Sequence, residues 1–167
     1  MKRKLIISDS GPIFSLAIID NLNLLNLLFD EIKIPEAVWN EIKSIKNNKL
    51  YNITFTFFKD KVIPVKGLND VSIIFDYGEA ESIVLYKELQ ADFLLIDDKK
   101  ARIIPESMSV TCIGTIGLLI ICKERSLIPA LKPIFEDLLA NKRYYSIELL
   151  NNILINNKED VINYHRY

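Results

Sequence analysis

The sequence predicts a single α/β domain with a mainly parallel central sheet flanked by helices on both sides. Three observations predict it. The strand candidates are short β-branched runs without polar alternation, the pattern of strands buried on both faces. They alternate along the chain with helical segments, which implies βαβ units. And 167 residues, 50% of them hydrophobic and 26% charged, match one domain with a sizeable core. That composition excludes an intrinsically disordered chain. No internal repeat, low-complexity stretch or Pro/Gly-rich linker divides the sequence.

Leu5-Ile6-Ile7-Ser8 reads as the first strand, broken by Asp9-Ser10-Gly11-Pro12. Ser10 is placed to cap a helix carrying Ile13, Leu16, Ala17 and Ile19. A second apolar helix, Leu22 to Phe29, follows the Asp20-Asn21 break. Glu31 to Ile34 is the next strand, and Pro35, whose fixed φ suits a first helical position, opens a helix through Ile45. From Lys46 to Asp70 the pattern is mixed. Asn47-Asn48 reads as a turn, Ile53 to Phe58 is β-branched and aromatic, and Lys61 to Val65 reads as a short extended segment. Helical periodicity returns from Gly78 to Gln90, then a strand, Phe93 to Ile96, ends in Asp97-Asp98. A short helix from Lys99, a strand at Ser109 to Ile113 and a helix from Thr115 to Glu124 continue the alternation. Two helical segments, Pro129 to Ala140 and Ser146 to Asn156, complete it.

Charge and cysteine usage remove several function classes. Twenty-one basic and twenty-two acidic residues leave a formal charge of −1, so nucleic-acid contact must rest on a local patch. Cys112 and Cys122 make no disulfide scaffold, and the one His, His165, completes no zinc pattern with them. The longest apolar run, Gly117 to Cys122 with Ile116 before it, is far short of the ~20 residues a membrane span needs. The basic start Met1-Lys2-Arg3-Lys4 is followed only by Leu5-Ile6-Ile7, where a secretory signal needs ~7–15 apolar residues. The expectation is a soluble, cytoplasmic protein.

In an open α/β sheet the functional groove lies beyond the carboxyl ends of the strands, and carboxylates recur there. Asp9 follows the first strand, Asp97 and Asp98 follow Phe93 to Ile96, and Glu79 opens the helix leading into that strand. Val38, Ile42 and Ile45 form an apolar stripe in which Glu41 fills the i+3 place, so its carboxylate is expected on the buried edge of the helix. Each acid also has a structural reading. Asp9 or Ser10 would cap the following helix, Asp76-Tyr77-Gly78-Glu79 has capping-box spacing, and Asp98 could cap the helix from Lys99. Glu81 reads as a solvated helix-face residue, and Glu41 could pair with Lys43 or Lys99. Together the acids fit one chemical need. Converging carboxylates repel, a divalent cation relieves the repulsion, and oxygen-only ligands favour Mg²⁺ or Mn²⁺. Such a site can activate water for in-line phosphodiester hydrolysis.

The order and spacing of Asp9-Ser10, Val38-Trp39-Asn40-Glu41, Gly78-Glu79-Ala80-Glu81-Ser82-Ile83, Leu94-Leu95-Ile96-Asp97-Asp98-Lys99-Lys100-Ala101-Arg102 and Gly114-Thr115-Ile116-Gly117-Leu118-Leu119 resemble the PIN domain. Within it they resemble the VapC-like branch of the DUF3368 type, over about Leu5 to Leu139. The resemblance implies a Rossmann-like PIN fold and metal-dependent ribonuclease activity on an RNA substrate. Many relatives are toxins of type II toxin–antitoxin pairs, inhibited by a small antitoxin protein and often homodimeric. By motif position Asp9 is the first metal-binding carboxylate and Glu41 the second. Glu79 takes a third place, where better-known relatives carry the shorter Asp. Asp98 best matches the last Asp, with Asp97 in the spacer position as the alternative ligand. Ser10 matches a hydroxyl residue that supports the first Asp or a metal-bound water. Residues 1–140 are thus expected to form the PIN-like nuclease domain, and 141–167 a helical extension packed on it.

Other candidates are weaker. Lys99, Lys100 and Arg102 lie beside the acidic groove and either hold RNA phosphates or form a solvated helix face. Phe55, Phe57 and Phe58 are read as packing rather than base-stacking residues, as are Trp39 and the Tyr144-Tyr145 pair. Cys112, Cys122 and His165 are assigned no role, and Gly114-Thr115-Ile116-Gly117 reads as a tight turn and helix cap rather than a phosphate loop. The rival to a nuclease is a PIN-like module that has lost catalysis and serves as a protein- or RNA-binding partner. It would bury the apolar segments Leu131 to Leu139 and Ile147 to Ile155 against another chain. A receiver-type phosphoacceptor ranks third, because the paired acids follow a later strand and Ile113-Gly114 carries no Lys.

Overall fold

The structure, a computed structural model, describes residues 4–67, 76–98, 103 and 109–163. Five strands form one all-parallel sheet: β1 Leu5–Ser8, β2 Glu31–Pro35, β3 Val62–Ile63, β4 Phe93–Leu95 and β5 Cys112–Ile113, in the order β3-β2-β1-β4-β5. Eight helices accompany them among the described residues: α1 Ser10–Ile18, α2 Leu24–Leu28, α3 Glu36–Lys43, α4 Asn48–Phe58, α5 Tyr77–Glu88, α6 Thr115–Glu124, α7 Lys132–Ala140 and α8 Ile147–Asn156.

The unbroken apolar character of β1 follows from its central position. Ile6 enters a large cluster with Leu16, Leu118, Phe135, Leu150 and Leu154, whereas Ile7 enters a smaller one with Ile83, Leu94 and Ile96. β4 alternates likewise, with Leu95 in the first cluster and Leu94 in the second. Each fully buried side chain of this size contributes roughly 1.5–3 kcal/mol, so strands of two to five residues suffice when both faces are covered.

The strand order places β2 on one side of β1 and β4 on the other. The chain therefore reverses direction across the sheet at β1, and the crevice at the carboxyl ends of β1 and β4 is the topological switch point. The Asp9 N–H donates to the Leu95 carbonyl at 2.9 Å, extending the ladder one residue and fixing Asp9 beside the end of β4.

Several elements depart from the sequence reading. Residues 48–58 are helical despite the β-branched and aromatic run Ile53 to Phe58. Asn47 is the helix N-cap, its side-chain oxygen accepting the Leu50 N–H at 3.0 Å, and Thr54 and Phe58 are buried one turn apart. Burial of that face overrides β propensity. β5 is shorter than Ser109 to Ile113, because Ser109 has φ 63°, a left-handed conformation outside the strand region. Of the two cap candidates it is Asp9 that caps α1, with Oδ2 accepting the Gly11 N–H at 3.3 Å, and Ser10 is the first helical residue. Pro35 closes β2 and precedes α3 as its N-cap. Leu131, Phe135, Leu138, Leu150 and Leu154 are fully buried in the chain's own core, so one face of each apolar C-terminal segment is already covered, while Leu149 and Ile155 stay exposed. The short helix expected from Lys99, with Lys99, Lys100 and Arg102, lies outside the described residues, as does His165. No helix among the described residues is long and apolar enough to cross a membrane.

Candidate functional site

A cleft of about 590 Å³ opens at the switch point. Asp9, Ser10, Gly11, Glu79, Asp97 and Asp98 line it from the sheet side, and residues 142–146 with Leu149 face them. Four of the acids predicted from sequence thus share one cleft.

Asp9 is its centre. It is only 8% exposed, and burial pushes its carboxyl up to about 6, against the pull of the Ser10 and Gly11 backbone hydrogen bonds. The negative charges of Glu41 and Asp97 push it further in the same direction.

Glu41 is brought to Asp9 by a glycine. Its side chain is exposed, not buried: Val38 and Ile42 turn into the core, and Glu41 stands at the rim of that stripe. Its carboxylate nevertheless abuts Gly78 in the first turn of α5, where a Cβ would overlap Glu41 Oε1 and approach Asp9 Oδ1 to 3.4 Å. The missing side chain at 78 leaves room for both carboxylates. Glu81 secures the same helix pair. It is 8% exposed rather than solvated, and its Oε2 accepts the Ala37 N–H at 2.9 Å. That bond satisfies a first-turn donor of α3 that Pro35, with no capping side chain, leaves open.

Glu79 sits in the first turn of α5, half-buried, with its carboxyl raised to about 7. Burial is the main cause, followed by the charges of Asp9, Asp98 and Asp76. Only half of the expected capping box forms. The Asp76 backbone hydrogen-bonds the Glu79 carboxylate, while the Asp76 side chain makes no cap. The doublet at the end of β4 divides. Asp97 accepts from Thr115 N–H (2.7 Å), Thr115 Oγ1 (2.8 Å) and the Tyr145 hydroxyl (3.1 Å), whereas Asp98 is exposed at the cleft beside Glu79.

Buried carboxyls that resist ionisation together call for protons or a cation. The donor set is all oxygen, which fits a hard divalent ion rather than zinc or copper. Among the described residues no group of three or more Asp, Glu, His or Cys side chains is arranged to hold a metal as it stands. The fit lies in donor chemistry and in the mutual repulsion around Asp9.

The family model for DUF3368, a PIN domain, matches residues 5–159. The chain belongs to the PIN-domain family. No curated protein matches the sequence. The all-parallel sheet agrees with a PIN fold, and PIN domains are in general metal-dependent nucleases. The match runs past residue 140 into the segment whose Leu150 and Leu154 complete the main core.

Sequence reasoning missed the opposite wall of this PIN domain. Tyr145 is not a packing residue alone, because its hydroxyl bonds Asp97. Burial, then the charge of Asp97, raises the phenol, which keeps it protonated as a donor. Arg143 donates from Nε to Ser15 Oγ (2.8 Å) and from Nη2 to the Gly11 carbonyl (3.0 Å). Thr115, read as a helix-cap residue, anchors Asp97, and Gly114 is the N-cap of α6. Trp39 and Phe55 do pack together, with ring centroids 4.9 Å apart, and Phe58 is fully buried. Cys122 is buried in the core with its thiol pushed up to about 11. The one signal available for the missed wall was the basic-aromatic cluster Lys142-Arg143-Tyr144-Tyr145 itself.

Proposed function

We propose that this PIN domain is a Mg²⁺- or Mn²⁺-dependent endoribonuclease hydrolysing RNA phosphodiester bonds. The observation that carries the proposal is the buried Asp9 carboxyl at the switch point, flanked by Glu41, Glu79, Asp97 and Asp98, whose negative charges lie close enough to repel one another. Asp9, Glu41, Glu79 and the Asp97/Asp98 step would hold the ion, which when bound supplies a water of lowered pKa and charge for the leaving oxygen. Asp9 is held by its cap to Gly11, and Ser10 lines the cleft beside it, where its hydroxyl would support Asp9 or a metal-bound water. Glu79, raised to about 7 by burial and the charges of Asp9, Asp98 and Asp76, would be held in its ionised form by the bound cation. Lys142 and Arg143 on the facing wall offer positive charge for phosphates in a chain of otherwise balanced charge. Lys99, Lys100 and Arg102 extend that role by their place in the sequence.

The biological setting proposed with this activity is a cytoplasmic type II toxin, homodimeric and held inactive by a small antitoxin protein. The test is direct. A fluorescently labelled RNA incubated with the purified chain should be cut with Mn²⁺ and left intact with EDTA. The Asp9→Asn variant should leave it intact under both conditions. Cleavage that survives EDTA, or that the variant retains, would exclude the proposed chemistry.

A further inference from the structure

We propose that Tyr145 is a positioning residue that fixes the Asp97 carboxylate in the cleft, held in place by the Arg143–Ser15 pair. The inference rests on the metal-dependent reading above and adds to it a residue on the opposite wall.

The segment reaches the cleft by a defined turn. After α7 the chain reverses through Lys142 at φ 60°, with Lys142 N–H donating to Leu139 O and Arg143 N–H to Leu138 O, both at 3.0 Å. That pair of bonds is the Schellman arrangement, in which the left-handed position favours Gly. A lysine stands there instead, as Asp20, Gln90, Ser126 and Lys158 do at four other helix ends of this chain. The turn delivers Arg143 and Tyr145 to α1. Arg143 clamps the Gly11 carbonyl and Ser15 Oγ, and Ser15 Oγ itself donates to the Gly11 carbonyl at 3.0 Å. The Tyr145 oxygen lies 3.4 Å from Ser15 Oγ and 3.1 Å from Asp97 Oδ2.

The proton inventory assigns the directions. Ser15 spends its one hydrogen on Gly11, so it acts as acceptor toward Arg143, and the Tyr145 hydrogen goes to the carboxylate. Asp97 then has three donors on about four acceptor positions, which dictates the direction of the one that remains for a ligand. The same strap touches both strand-end acids, since the Gly11 N–H caps Asp9 while its carbonyl is clamped by Arg143. A late segment of the chain thereby sets how Asp97 stands relative to Asp9. Groups that orient metal ligands in this way are worth about 10- to 100-fold in affinity or activity.

The experiment is calorimetric titration of the full chain with Mn²⁺, alongside steady-state cleavage of labelled RNA. The proteins are wild type, Tyr145→Phe, Asp97→Asn, the double variant and Asp9→Asn. Tyr145→Phe, checked for folding by circular dichroism, should bind Mn²⁺ about 10-fold more weakly, with a lower kcat and an unchanged KM for RNA. In the Asp97→Asn background the Tyr145 change should have no further effect, as a double-mutant cycle requires for a residue acting through its partner. Wild-type Mn²⁺ affinity in Tyr145→Phe, or the same loss in both backgrounds, would overturn the positioning role alone. A wild-type chain that binds no Mn²⁺, or an Asp9→Asn variant that binds it normally, would overturn the metal reading beneath it.

Discussion

Asp9 and Asp97 end adjacent parallel strands one residue apart in register, yet the chain treats the two carboxylates differently. Asp97 receives three side-chain and backbone donors from Thr115 and Tyr145. Asp9 is almost wholly buried, keeps a 3.3 Å bond from Gly11 and faces two other acids, so its carboxyl rises to about 6. Strand-end position therefore gathers the acids, while burial and the local hydrogen bonds set them apart. One acid is oriented by three donors; the other is, on the proposed reading, the one a cation would neutralise.

That contrast breaks most visibly in activity. Asp9→Asn should lower RNA cleavage by more than about 100-fold, since outer partners of a metal ligand alone are worth about 10–100-fold. A loss under tenfold in a single-turnover assay would remove Asp9 from the centre. In the metal-free protein the same change should stabilise. Burial raises Asp9 from 3.8 to about 6 and Glu79 from 4.5 to about 7, so the folded form holds these protons more tightly than the unfolded chain. Their contribution is fully present below about pH 4 and lost as pH rises through 6 to 7. Asp9→Asn keeps a capping oxygen and removes its share, on the order of 3 kcal/mol at pH 8. Urea melts in EDTA should show the variant more stable than wild type at pH 8 and level with it at pH 3.5. Asp97→Asn should have the opposite sign, costing about 1–3 kcal/mol because an amide hydrogen then meets a donor. Equal signs in the same melts would erase the distinction.

The smallest effect on the fold belongs to Gly78→Ala. The added methyl would displace the mobile end of Glu41 rather than any backbone, and alanine favours a helix over glycine by up to ~1 kcal/mol. The melting temperature should hold or rise while Mn²⁺ affinity drops about tenfold. Unchanged affinity would show that Glu41 does not share a cation with Asp9.

Much of the site was legible because strand ends and helix starts are sequence-local features. Asp9, Glu79, Asp97 and Asp98 could be placed by reading where an apolar run stops. Glu41 was found by its phase but put on the wrong side of the helix rim, since periodicity gives a direction only to within a residue's arc. Glu81 was misread for want of its partner, a first-turn N–H of α3 forty-four residues away. Arg143 and Tyr145 meet Gly11, Ser15 and Asp97 across 48 to 132 residues, and nothing local marks such pairs. α4 shows the converse. Its Leu50, Thr54 and Phe58 spacing and its Asn47 cap were present in the sequence, masked by β-branched and aromatic residue types.

The central claim is that the acids around Asp9 share a divalent cation. Thermal melts at pH 7.5 with and without saturating Mn²⁺ test it most directly. An ion at about 100 times its Kd adds about 2.7 kcal/mol, which for a domain of this size raises Tm by roughly 5–10 °C. The wild type should show that rise and Asp9→Asn should not; a flat wild-type response, or an equal rise in both, would contradict the account.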